Sequence, residues 1–167
     1  MKAGKALTLR ELAALAVYCA LLLGGKEAMR ALPNIHPVTL LLIVCTLTHG
    51  ARALYPAVGF VLLELAVNGA GLWSVMYAYA WPLVVLCALP FRRSRSRTFW
   101  ACFAGVQGLT FGAVCALPYL FVAGPAAALA WWVAGIPFDL THAVSNAALT
   151  YFLLPPLLRV EERIKCS

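Results

Sequence analysis

The chain is poor in charge, and poorest in acids. Only 11% of its 167 residues are charged, and Asp and Glu together number six against thirteen Lys and Arg. With 63% hydrophobic residues and a mean hydropathy of +0.88, there is too little polar side chain to clothe a water-facing surface. That excludes an ordinary soluble domain. Also missing is a glycine-rich phosphate loop, so the chain by itself is not expected to hydrolyse ATP. The six cysteines, Cys19, Cys45, Cys87, Cys102, Cys115 and Cys166, form no CxxC pair, and five of them fall inside apolar runs, where they read as small core residues. No His/Cys set has ligand spacing, so neither a metal nor another cofactor is expected.

What is present is a series of apolar runs. A helix crossing the hydrocarbon core needs about 20 mostly apolar residues, and the runs predict helices near 7–24, 37–49, 52–68, 72–90, 98–122 and 137–158. The expected fold is all-α: one domain over 1–167, an integral membrane bundle of about six transmembrane helices. The run 37–49 is short for a crossing, and 126–136 reads as a separate partial helix lining a cavity. Pro82 and Pro118 fall within spans and predict kinks. The first run follows Lys2 and Lys5 like a signal peptide, but five later spans need an orientation, and it reads as retained.

Basic residues resist translocation, and their distribution chooses a topology. With the amino terminus in the cytoplasm, the inner side holds Lys2, Lys5, Arg10, Arg52, Arg92, Arg93, Arg95, Arg97, Arg159, Arg163 and Lys165, leaving only Lys26 and Arg30 outside. Both termini are then cytoplasmic. Basic span ends account for the net charge of +7 without any nucleic-acid partner, and Arg92 to Arg97 form a loop anchored beside anionic lipid.

This topology brings the two acids that interrupt apolar runs, Glu64 and Asp139, to the same outer level. Asp139, His142 and Asn146 are spaced three and four apart and share a helix face, as do Glu64 and Asn68. Trp73, Tyr77 and Trp81 form an aromatic stripe, and the first outer loop adds Asn34 and His36. A carboxylate inside a span costs about 2.5–3.5 kcal/mol on insertion scales, so it faces the bundle interior or a wet cavity. Two readings follow. Either the carboxylates and amides hydrogen-bond a polar heterocycle stacked against Trp and Tyr, or they pair with Lys26 or Arg30 while the aromatics form an interfacial belt. Asp139, His142 and Ser145 have the residue types of a nucleophilic triad, but no oxyanion donor stands near them, and no enzyme is expected.

Three stretches, LPNIHPVTLLLIV, ALYPAVGFVLLELAVNGAGLWSVMYAYAWPL and GPAAALAWWVAGIPFDLTHAVSNAALTYFLLPPL, resemble the substrate-binding membrane subunit, or S component, of energy-coupling factor vitamin transporters. The resemblance implies a multi-pass protein of a prokaryotic cell membrane that binds a vitamin-like micronutrient from outside. It implies partnership with a transmembrane coupling subunit and two cytoplasmic ATPases, and delivery by toppling in the bilayer. Carried to matching positions, it implies a pocket from Trp73, Tyr77, Trp81, Trp132, Asp139, His142 and Asn146, and a docking face at Ala13, Ala16 and Ala20. Two carboxylates without an interior Arg or Lys suit an amino-substituted heterocycle of deazaguanine, pterin or aminopyrimidine type; cobalamin is the other candidate. The alternative is a self-sufficient channel or proton-coupled carrier using Glu64 and Asp139.

Overall fold

The computed structural model describes residues 6–166, with side chains through 164; Lys2, Lys5 and the side chains of Lys165 and Cys166 lie outside the described residues. Those residues form helices and turns with no strand: α1 Leu9–Ala28, α2 Val38–His49, α3 Leu54–Asn68, α4 Leu72–Ala88, α5 Arg97–Cys115, α6 Leu117–Val122 and α7 Gly124–Cys166. Four helical stretches are long and apolar enough to cross a membrane: Val38–Asn68, Leu72–Phe91, Arg97–Val122 and Gly124–Ile164. The first is interrupted by a 3-10 turn over Gly50–Ala53. α1 has Arg10 and Glu11 at one end and Lys26 and Glu27 at the other, so its apolar stretch is shorter.

Local chemistry sets the boundaries. Thr8 and Glu11 cap α1 reciprocally, Thr8 Oγ1 accepting from Glu11 N at 3.2 Å and Glu11 Oε2 from Thr8 N at 3.0 Å. Ser96 Oγ accepts from Phe99 N to open α5. α2 stops at Gly50, whose φ of +62° is one that glycine adopts without a Cβ penalty. Pro118 has no N–H to give the carbonyl of Val114, and the helix breaks at Ala116 between α5 and α6. That carbonyl accepts instead from Tyr79 Oη at 2.8 Å. The helix is therefore interrupted beside Pro118, and the freed acceptor is satisfied from α4.

Side-chain contacts give the direction of each helix. Arg52, just before α3, pairs with Glu11 at the start of α1, while Lys26 at the end of α1 reaches Glu64 near the end of α3; α1 and α3 run parallel. Gly25 lies against Pro37 and Tyr18 against His49, so α2 runs opposite to α1. Tyr79 meets Val114 and Trp81 meets Phe111, so α4 opposes α5. Asp139 meets Gly112 and Arg97 meets Tyr151, so α5 opposes α7. The six long helices alternate in direction. Basic residues gather at the end holding the start of α1: Arg10 reaches the Ile164 carbonyl and Arg95 approaches Glu162 there. Lys26 and Arg30 stand at the other.

The tightest packing is between α5 and α7. Gly105, Gly108 and Gly112 face α7 at Ala147, Ala143 and Asp139, and a Cβ on Gly108 would lie 2.7 Å from the Ala143 amide nitrogen. Small residues let backbones approach where apolar burial gives no advantage over lipid. One expectation is corrected by α7. The segment 126–136 is not a separate partial helix but the first turns of α7, which runs through Pro137. At about 1.5 Å per residue its 43 residues span about 65 Å, roughly twice a hydrocarbon core.

Gly108→Val should lower stability in detergent by at least about 2 kcal/mol, because the intruding methyls meet backbone that cannot yield. Gly24→Ala, at a helical position with open space around it, should leave the unfolding midpoint unchanged or slightly raised. Equal midpoints for both variants would refute the close seam.

Candidate functional site

The polar residues at the end opposite the arginines fall into two groups joined by a wall of rings. The first group is built on α1 and α3. Glu64 is 1% exposed; its Oε2 accepts from Lys26 Nζ at 2.8 Å and from Asn68 Nδ2 at 3.2 Å. Glu27 sits beside them, 3.5 Å from Lys26 and 3.4 Å from Arg30. Two cations and two carboxylates therefore balance. For Glu64 the ion-pair reading holds, although its Oε1 has no hydrogen-bond partner.

The second group is carried by α7 and faces α5 and α2. Asp139 is 3% exposed, and its Oδ1 accepts from the Gly112 backbone N–H at 2.9 Å. That amide lies within α5 and is reached only because glycine leaves the carboxylate room. Asp139 Oδ2 has no hydrogen-bond partner, and neither ring nitrogen of the buried His142 has one. One turn further, Asn146 Nδ2 donates to Thr39 Oγ1 at 3.1 Å, and below it the hydroxyl of Thr150 is buried and unpartnered. Ser145 Oγ donates to the Asn34 carbonyl at 3.1 Å, tying the loop between α1 and α2 to α7. Asn34 has a φ of +58°, a conformation Asn tolerates better than most residues.

Between the groups the aromatics interlock, edge to face except for the tilted Trp81–Phe111 pair. Trp73 meets Tyr77, Tyr77 meets Trp81, and Trp81 lies 5.2 Å from Phe111 and 5.8 Å from both Phe60 and His36. His36 in turn lies 5.0 Å from His142. Trp81 is fully buried with an unpartnered Nε1, so that member of the stripe faces the core and is no interfacial belt residue. Burial pulls the His36 pKa down to about 3, and the neighbouring His142 acts in the same direction; the ring is neutral at physiological pH.

The structure thus brings together His36, Tyr77, Trp81, Asp139, His142 and Asn146, with Asn34 and Trp73 at the margin. Glu64 and Asn68 form their own ion-paired group and do not meet Asp139; the expected pair of converging carboxylates is one carboxylate and one salt bridge. Trp132 is 39% exposed, on the part of α7 that precedes the cluster, and has no ring contact with it. Reading the sequence missed Phe111, Thr39 and the Gly112 amide. The spacing of Gly105, Gly108 and Gly112 is the signal that could have found the last, since it marks where a second helix comes close. Two cavities, of about 590 and 740 Å³, open at the opposite, arginine-rich end. Among the described residues there is no group of three or more His, Cys, Asp or Glu able to hold a metal ion.

Lys26→Met leaves Glu64 buried without its cation and should cost about 3–5 kcal/mol in detergent unfolding, whereas Lys26→Met with Glu64→Gln should recover most of the loss. Additive losses in the double variant would mean the pair is not coupled. No protein-family model, curated protein or solved structure matches this chain.

Proposed function

We propose that this chain is the substrate-binding membrane subunit of an energy-coupling factor importer, with six spans, the arginine-rich end in the cytoplasm and the His36/Trp81/Asp139/His142 cluster toward the outside. The observation that carries the reading is the concentration of unsatisfied polar atoms. Of the buried side-chain N and O atoms without a partner, all but the Thr150 hydroxyl and Glu64 Oε1 belong to His36, Trp81, Asp139 and His142. Each such group costs about 1–3 kcal/mol when left unmade, and a bilayer offers no bulk water to repay it. A ligand repays it.

The donors and acceptors set the class of ligand. Asp139 has a free oxygen and only a backbone partner, while Lys26 and Arg30, the cations at that end, are held by Glu64 and Glu27. An anionic vitamin would meet that carboxylate with no cation to offset it. A neutral or cationic heterocycle bearing amino or ring N–H groups suits it, and the surrounding rings supply apolar walls. Deazaguanine, pterin and aminopyrimidine types meet these terms, and cobalamin meets them less well. The cluster is closed, with Trp81 and His142 buried, so entry requires the outer loop around Asn34 to part from α7.

Docking to a coupling subunit is assigned to α1, where Ala13, Ala16 and Ala20 are all exposed along with Val17 and Gly24. Such a face lets another helix approach closely in lipid. The carrier alternative is weaker. Glu64 is engaged by Lys26, and the polar seam on α7 ends one turn below Thr150 at the buried Leu154.

Native mass spectrometry of the purified protein should reveal one co-purified small molecule, and Asp139→Asn should weaken its binding by about 1–3 kcal/mol. Unchanged affinity removes Asp139 from the site. Ala16→Leu with Ala20→Leu should keep ligand affinity while uptake in cells holding the energising subunits falls; parallel loss of both would count against a separate docking face.

A further inference from the structure

The two cavities at the arginine-rich end have complementary walls and share residues. The smaller, about 590 Å³, is a cleft under the loop that joins α4 to α5, lined by Arg92, Arg93, Ser94 and Arg95. The larger, about 740 Å³, is a groove between α1, α2 and α7 with apolar walls that include Val17, Leu21, Leu41, Val44, Leu157 and Val160. Thr48, His49 and Glu161 line both, so the cleft and the groove adjoin. We propose that together they bind one anionic phospholipid of the inner leaflet, the phosphate in the arginine cleft and an acyl chain in the groove.

Charge and length both fit this occupant. Across the two linings Arg10, Arg52, Arg92, Arg93 and Arg95 outnumber Glu11, Glu161 and Glu162, five to three. Glu11 pairs with Arg52, Glu161 accepts from Tyr18 Oη at 2.7 Å, and Glu162 lies 3.8 Å from Arg95 in a pair exposed on both sides. The acids are thus occupied within the protein, Glu11 by Arg52 and Glu162 by Arg95 across an exposed pair that a headgroup can displace, while the exposed Arg92 and Arg93 remain for the phosphate. Basic pockets between helices at a cytoplasmic surface are suited to lipid headgroups. The groove extends along α1 from Arg10 to Leu21, eleven residues or about 16 Å, close to half the thickness of a hydrocarbon core. Val17 is 57% exposed and Val160 53%, so the groove opens sideways, where a chain can enter from the bilayer.

The site lies at the opposite end from the proposed micronutrient cluster, and its occupancy does not depend on that reading. Ala13 and Val17 line the groove whereas Ala16, Ala20 and Gly24 do not, so a bound lipid overlaps one edge of the α1 face and leaves Ala16 and Ala20 uncovered.

Delipidated protein in neutral detergent is titrated with phosphatidylglycerol or with phosphatidylcholine of the same acyl chains, and bound lipid is counted by native mass spectrometry. One phosphatidylglycerol should be retained in preference to phosphatidylcholine. Arg93→Ala with Arg95→Ala, in an exposed loop, should weaken that retention roughly thirtyfold, since each basic residue near an anionic headgroup contributes about a factor of five. Leu157→Trp, which fills the groove and leaves every arginine in place, should also lower retention; circular dichroism establishes that each variant is folded. Equal retention of both lipids, or undiminished phosphatidylglycerol binding in either folded variant, overturns the proposal. Displacement by millimolar inorganic phosphate alone would also overturn it, because the cleft would then be a free-anion site.

Discussion

The contact on which the rest depends is the approach of α5 to α7 along Gly105, Gly108 and Gly112. In lipid there is no hydrophobic drive to bring helices together, and close van der Waals fit must serve instead. Here the fit is so close that a side chain on Gly112 would occupy the space of the Asp139 carboxylate. Asp139 is buried on α7 and takes its hydrogen bond from the Gly112 amide. The same seam sets the distance at which Phe111 meets His142 and, through Trp81, fixes α4. Packing between two helices therefore determines the electrostatics of the cluster, and a carboxylate that would be costly on a lone span becomes tolerable.

Much of this architecture is legible in the chain. Apolar runs and the placement of Gly and Pro locate α2, α3 and α4 within a few residues, because helix termination is local chemistry: Gly50 and Gly69 adopt positive φ at the ends of α2 and α3. The spacing of Asp139, His142 and Asn146 places them on one buried face, since helical periodicity needs no tertiary knowledge. Pairing across helices was not legible. Whether Lys26 folds back onto Glu64 or extends to the headgroups depends on α1 and α3 being parallel neighbours, and their separation in sequence says nothing of that. The continuity of α7 through Pro137 was hidden for a similar reason. A proline predicts a lost hydrogen bond, but the packing of α6 onto the first part of α7, with Tyr119 stacked on Trp131, holds the segment helical.

The separation of charge along the bundle gives each end a distinct chemistry. Among the described residues, the arginine-rich end sets Arg10, Arg52, Arg92, Arg93, Arg95, Arg97, Arg159 and Arg163 against Glu11, Glu161 and Glu162. The other end sets Lys26 and Arg30 against Glu27, Glu64 and Asp139. In the proposed orientation, the excess positive charge at one end holds it at the cytoplasmic surface. The slight acidic excess at the other resides in Asp139 alone once the ion pairs are drawn, so in the proposed binding role a single carboxylate decides the polarity of the ligand.

In that proposed role the histidines refine the selection. Neutral imidazole carries one donor and one acceptor, and His142 has neither satisfied while His36 leaves Nδ1 open. Trp81 adds an N–H and Asp139 an acceptor oxygen. A guest that satisfies all of them must alternate donors and acceptors along its edges and be flat enough to lie among Trp81, Phe111 and the two imidazoles. An aliphatic ammonium would satisfy Asp139 but leave the Trp81 donor and the imidazole hydrogens unmade. The proposed fused or amino-substituted nitrogen heterocycle would satisfy both sets at once. The requirement comes from four side chains held on three segments of chain, so in the proposed role selectivity and the parting of the Asn34 loop from α7 would be linked: a guest that leaves part of the set unmade would gain less from the ordering that recloses it.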